Sequence, residues 1–399
     1  MKKIVGIIAA AALATSAFAE INIGSWNRAV VEPIHYDGDT VSAFNGPSWG
    51  VGNQGGSRTS LSFSASTENA GVAIDVHSNP DIKVGDNSYV WVKPVEMLQV
   101  KFGKIDNTFG RLDHCFGAWD ASRFATMEGE GLAGVDRSNR GGQAANFVLT
   151  PVEGLVIDYQ ANFTGDKHTY DSFWESSSTL IGYKADFGFI RAIINGQQAV
   201  KYDGKSDTEE KPAAVIALAA DITAIENLTL KFGVSVPTNL TGYTMKDKDG
   251  KTTTDYKECV KVESNAIKAA VAADYNLDAL TLHGHVEADV MGKKVNSDNK
   301  VELGAFGLKI GAGVDYAFSD AWKLITDFRF QSWTAQEVDK GDLTYKDPAF
   351  GGYLALRQQL TNASFEFGAM FGKRALKNDY KDPAESFQFA VPLTITASF

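Results

Sequence analysis

The sequence predicts an all-β chain: a transmembrane antiparallel β-barrel of about 18 strands, with 16 the alternative, short turns at one end and long loops at the other. Three observations predict it. Apolar and polar residues alternate over stretches of roughly 9 to 12 residues, longer than the usual strand of about 5–6. The breaks between these stretches are alternately short and long. The chain opens on an export leader, yet holds no later apolar run long enough for a membrane helix.

The leader comes first. Lys2 and Lys3 precede an apolar run from Ile4 to Ala14, and Ala17-Phe18-Ala19 is a small-x-small cleavage site. Residues 1–19 therefore read as a signal peptide and 20–399 as a single barrel domain. Removing the two lysines takes the net charge from −11 to −13. The longest purely apolar stretch after the leader, Pro212 to Ala220, has 9 residues and is rich in Ala. A membrane helix needs about 20. The acidic balance argues against a nucleic-acid partner. Two cysteines are too few to organise the fold through disulfides.

The strands follow from the period of two. In "LVIDYQANF", Leu155, Ile157, Tyr159, Ala161 and Phe163 share one face, with Asp158, Gln160 and Asn162 on the other. "LTLHGHVEADV" sets Leu280, Leu282, Val286, Ala288 and Val290 against Thr281, His283, His285, Glu287 and Asp289. "FGLKIGAGVDYAF", "NASFEFGAMF" and the terminal "FQFAVPLTITASF" behave alike. About 9–11 residues is what a tilted strand needs to cross a bilayer. Eight short turns punctuate them, at 67–70, 93–97, 150–154, 185–188, 223–227, 276–279, 318–321 and 360–363. Between the hairpins lie longer polar stretches such as Lys201–Lys211, Asn239–Glu263, Met291–Lys300 and Gln336–Pro348. A soluble sandwich or propeller explains the alternation but requires neither the turn asymmetry nor the leader.

The loop Lys104–Gln143, after the fifth strand "MLQVKFG", is the longest. Loops of this length are usually functional. Phe109, Leu112, Phe116, Trp119, Phe124, Leu132 and Val135 call for burial, so the simplest reading folds the loop back into the barrel. It also carries carboxylates: Asp106, Asp113, Asp120, Glu128, Glu130 and Asp136.

If the apolar strand face meets lipid, the other face meets a lumen. That places Arg58, Lys101, Arg191, Lys231, Lys268, Lys309, Lys323, Arg329 and Arg357 inward, because Lys or Arg at mid-bilayer costs about 2–4 kcal/mol. One reading sets this basic wall against the acidic loop, making a transverse field. The blander reading pairs the cations with Asp158, Asp289, Asp327 and Glu366 to keep the lumen wet. For any single residue the blander reading is preferred, since rings of charge set selectivity.

The leader, the strand count, the terminal Phe399, the phrase "VKFGKIDNTFG" and the long loop after the fifth strand together resemble the Gram-negative porin superfamily. The resemblance implies an outer-membrane protein surrounded by lipid, with an inward third loop narrowing a water-filled channel. It implies passive diffusion of small hydrophilic solutes and ions, and a homotrimer. General porins often carry Pro-Glu-Phe-Gly-Gly at the loop tip; "GLAGVDRSNRGG" stands in the comparable place here. The bare Phe399 resembles the C-terminal signal read by barrel-insertion machinery.

Other candidates are weaker. His283 and His285 point the same way along a strand, and such pairs do bind zinc, but no third ligand can be named. No metal and no cofactor are therefore expected. Cys115 and Cys259 fall in long loops of an exported chain, where a disulfide is chemically permitted. No nucleophile and base are singled out as a pair, so no enzyme is expected. A surface adhesin or antigen, whose barrel only displays loops, is the alternative to a diffusion channel.

Overall fold

The computed structural model describes residues 20–36, 38–44, 56–78, 81–113, 131–163, 174–200, 211–238, 243–246, 252–253, 261–264, 266–290, 293–295, 301–303, 307–332, 336–339, 342–345, 348–373 and 386–399. The expected leader lies outside them. So do Asp120, Glu128, Glu130, Cys115 and Cys259.

Eighteen strands form the barrel. In chain order they begin with β1 (Glu20–Tyr36), β2 (Gly56–Ser66), β3 (Ala70–Ser78), β4 (Ile82–Val95), β5 (Leu98–Ile105) and β6 (Gly142–Leu149). Next come β7 (Leu155–Asn162), β8 (Ser177–Ala185), β9 (Gly188–Val200), β10 (Lys211–Ile225), β11 (Leu228–Pro237) and β12 (Ile267–Leu277). The last six are β13 (Leu280–Val290), β14 (Gly307–Ser319), β15 (Trp322–Gln331), β16 (Ala349–Gln359), β17 (Ala363–Lys373) and β18 (Phe387–Ser398). Every strand pairs antiparallel with the next, and β18 pairs back onto β1 from Trp26↔Ser398 to Tyr36↔Phe389. An even count lets an all-antiparallel ring close without a parallel seam. No backbone edge is left for another chain to extend.

All eight short turns fall where the sequence places them. Two take a left-handed backbone at a residue other than glycine, Asn227 (φ 61°) and Asp278 (φ 47°). Both residue types tolerate that region through local side-chain hydrogen bonds. At the opposite rim two of the long connections carry short strands of their own. Tyr243–Lys246, Thr252–Thr253 and Lys261–Ser264 join Gln336–Asp339 and Asp342–Tyr345 in a separate five-stranded sheet. Two of the long polar stretches are thereby tied through Lys261↔Glu337 and Val262↔Gln336.

The period of two sorts side chains onto two faces. Outward positions expose large apolar groups, among them Ile190, Leu218, Phe232, Val271, Val286, Phe328, Leu354 and Phe367. Tyr275, Phe318, Trp322 and Phe399 stand near the short-turn rim, and Phe163, Phe350, Phe371 and Phe387 near the loop rim. Inward positions bury polar groups such as Asp158, Gln160, Arg191, Glu287, Asp327, Arg329 and Glu366. Val30, Ile325, Tyr353, Ala355, Met370 and Ala390 add an inward apolar patch on β15–β18 and β1.

Pro392 sits inside β18, where it removes a ladder bond. The irregularity it faces lies in its partner. The β1–β18 register slips between Val31 and Ile34, around Pro33, so the extra residue belongs to β1.

Candidate functional site

The connection between β5 and β6 is residues 106–141, two residues shorter at each end than expected because Lys104–Ile105 and Gly142–Gln143 belong to strands. Its described parts, 106–113 and 131–141, lie against the inward face of β7–β13. Leu112, Leu132, Ala133 and Val135 are fully buried with Val156, Leu180, Ile193, Ala217, Ala219, Ala270 and Ala272 of the wall. The wall residues facing the loop are small for a reason. A Cβ on Gly233 would stand 2.5 Å from Leu112 Cδ2 and 3.2 Å from Val135 Cγ2.

The two legs of the loop bond to each other, Leu112 N–H to Val135 O (3.0 Å) and Leu132 N–H to Leu112 O (2.7 Å). Wall side chains then take up the loop backbone. Arg191 Nε donates to Gly110 O (2.6 Å) and Asn195 Nδ2 to Asp136 O (2.7 Å). Ala133 adopts φ 55° without being glycine. Such a backbone persists only when its surroundings over-determine it. Here Ala133 N–H donates to Glu287 Oε2 (2.7 Å), and Ser235 Oγ donates to Ala133 O (2.6 Å).

Arg137 is the deepest cation among the described loop residues. Its guanidinium bonds Ser178 O (3.0 Å) and lies 3.1 Å from Asp158 Oδ1. Burial pulls its pKa below the ordinary arginine value, and the Asp158 charge opposes that shift. The side chain remains cationic, since arginine is effectively always protonated. Asp158 also accepts from Asn146 (2.6 Å) and Asn107 (3.3 Å). This carboxylate, expected to pair with a strand cation, therefore holds the loop instead.

Three of the six loop carboxylates are described, and each meets an arginine of the same loop. Asp113 lies 2.6 Å from Arg111, Asp106 3.2 Å from Arg140, and Asp136 2.8 Å from Arg140. The sequence reading singled out these acids and passed over Arg111, two residues from Asp113, and Arg140, four residues from Asp136.

The nine strand cations stand as follows. Arg58 lies 2.8 Å from Asp86, Arg191 2.6 Å from Asp221, and Lys231 3.6 Å from Asp274. Lys268 is 3.9 Å from Asp289, Lys309 2.8 Å from Glu287, and Lys323 3.8 Å from Asp315. Arg329 is 3.0 Å from Asp327 and Arg357 2.5 Å from Glu366, which Tyr353 also bonds. Lys101 Nζ lies 5.7 Å over the Tyr89 ring. Three pairs sit directly opposite each other on the strand ladder: Lys268 and Asp289, Glu287 and Lys309, Arg357 and Glu366. The alternation breaks where Lys323 faces Arg357 and where Arg28 faces Arg58. Arg28 escaped the sequence reading because the apolar rhythm of β1 is interrupted around Asn27-Arg28-Ala29.

His283 Nδ1 lies 2.7 Å from Asp274 and its Nε2 3.6 Å from Asp315. His285 is buried against Gly311, where a Cβ would collide with the ring. Among the described residues no three His, Cys, Asp or Glu side chains are grouped to hold a metal ion.

No protein-family model matches the chain, and no curated protein matches it in sequence. Porins and other outer-membrane proteins among the solved structures match it along nearly its whole length. The anion-selective porin from Comamonas acidovorans is 10% identical, with 96% of this chain and 100% of that one covered, at a TM-score of 0.49. Outer-membrane-expressed OmpT of Vibrio cholerae is 13% identical, covers 96% and 99%, and scores 0.48. OmpF of Salmonella typhi is 11% identical, covers 96% and 97%, and scores 0.41. Likeness at this level carries no functional weight. The chain is similar to outer-membrane porins over its length, and its architecture rests on its own register: a closed antiparallel ring of 18 strands.

Proposed function

We propose that this barrel is an outer-membrane diffusion channel for small hydrophilic solutes and ions. The observation that carries the reading is the division between faces: apolar side chains outward, and charged pairs inward on nearly every strand. A charge-lined interior behind an apolar band is what a water-filled pore in a bilayer requires. A barrel that merely displayed loops would have no need of it.

In this reading the loop 106–141 is the constriction, and the open path runs between it and the opposite wall, β16 round to β4. The acidic loop residues and the strand cations then shape the field along that path. The leader delivers the chain for export, and three copies associate. The trimer draws on the resemblance alone, and a slow unheated band on gels tests it.

Conductance in a planar bilayer is the decisive measurement. Stepwise openings are expected; a correctly folded but silent barrel would sink the channel reading and favour the display role. Neutralising Asp113, Asp120, Glu128 and Glu130 together is expected to shift selectivity toward anions. An unchanged reversal potential in a salt gradient would remove the loop from the path.

A further inference from the structure

We propose that a cavity on the inner face of β1–β4 is a subsite for small zwitterionic solutes, free amino acids foremost. The inference rests on the channel reading above. The cavity measures about 340 Å³ and is lined by Trp26, Arg58, Ser60, Asp75, His77 and Asp86. Ligand pockets run from about 300 Å³ upward, so it holds one small solute with its water.

Both signs of charge face this one space. Arg58 Nη2 lies 2.8 Å from Asp86 Oδ2, and the Asp86 side chain is 48% exposed. Among the described strand pairs this is the most open carboxylate. Asp221 is 28% and Asp274 18% exposed, and Asp289, Asp315, Glu287, Asp327 and Glu366 are at most 12%. Arg58 itself is 18% exposed, so both partners of this pair reach the lumen.

The cationic side is reinforced. Arg28 stands directly opposite Arg58, and like charges so placed weaken a sheet. Arg28 lies 5.0 Å over the Trp26 ring and donates to Thr396 Oγ1 (3.1 Å). Arg58 Nη2 also lies 2.9 Å from His77 Nδ1. Asp75, held by Asn87 N–H (3.1 Å) and Nδ2 (3.0 Å), closes the acidic side.

The ligand class follows from what each solute would meet. A carboxylate approaching the Arg58 guanidinium gains charge-assisted bonds. An ammonium gains the same from Asp86 and Asp75. An ion of one sign satisfies one end and opposes the other, and a neutral polyol gains neither charge. A solute with both groups a few bonds apart satisfies both ends.

The test uses the full chain folded into liposomes, with L-serine as probe and glycerol, of similar size, as internal reference. Serine flux is expected to saturate with concentration while glycerol flux stays proportional. Arg58→Gln and Asp86→Asn are each expected to lower the serine-to-glycerol ratio about tenfold, the worth of one charge-assisted contact. A ratio equal in wild type and both variants, in a channel that conducts, overturns the subsite and leaves the channel standing. Absent conductance in the wild type overturns both. Where a variant does not fold, the wild type decides alone: serine flux linear with concentration throughout overturns the subsite, and saturation supports it.

Discussion

The wall from β7 to β13 and the wall from β16 round to β4 face each other across the barrel, yet their inward residues differ in kind. Behind the loop they are small: Ala217, Ala219, Gly233, Ala270 and Ala272 form a dry contact with Leu112, Leu132 and Val135. Opposite the loop they include Arg28, Arg58, Asp86, Arg357 and Glu366. An inward position in a barrel is thus set by what stands before it, water or packed protein. β10 shows this within one strand. Its stretch Pro212–Ala220 is the longest apolar run after the leader because Ile216 and Leu218 face outward while Ala217 and Ala219 face the loop.

The largest expected effect tests the two walls as electrostatic environments. Arg137→Ala leaves the buried Asp158 without its guanidinium, and removing one partner of a buried pair costs about 3–5 kcal/mol. Arg58→Ala faces a half-exposed Asp86, where exposed pairs contribute about 0–1 kcal/mol. Urea unfolding of the refolded barrel compares them. Equal losses would erase the distinction between a dry wall and a wet one.

A smaller effect tests the packing. Gly233→Leu overfills the contact with Leu112 and Val135, at about 1–3 kcal/mol. The loop is expected to shift from its seat, with a measurable change in single-channel conductance. A variant of native stability and conductance would mean that the contact is not tight.

The smallest effect tests permanence. A Cβ on Gly233 would lie 3.4 Å from Ala133 Cβ, close to the roughly 3.5–4.5 Å of a disulfide. Ala133→Cys with Gly233→Cys, in a Cys115→Ser, Cys259→Ser background, is expected to cross-link and leave conductance unchanged by oxidation. A change on oxidation would show that the loop leaves the wall during conduction.

Much of the barrel was legible because alternation and turn chemistry are local. Strand faces and all eight short turns follow from a period of two and from residues such as Asn227 and Asp278. The partnerships were not legible. Asp158 looked like a counter-ion for a neighbouring strand, but it binds Arg137 from a loop about 20 residues upstream in sequence. Glu287 looked like part of a histidine-carboxylate row, yet it bridges Lys309 and the backbone of Ala133. Both depend on where the loop comes to rest, which no local period encodes. The five-stranded sheet at the loop rim was missed for a related reason. Its strands are two to four residues long, too short to show a rhythm.

The pairing of β1 with β18 has a kinetic consequence. Ser25 and Phe399 exchange two backbone hydrogen bonds, 2.8 and 3.0 Å long, between the first strand and the last residue. Contacts of such sequence separation are the slowest to form, because a whole chain's freedom is given up before they return anything. Every other hairpin can zip up with its neighbour, but this seam waits for the complete set. Until it shuts, β1 and β18 each present an unpaired edge, so the interval before closure is when the chain is most open to aggregation or proteolysis.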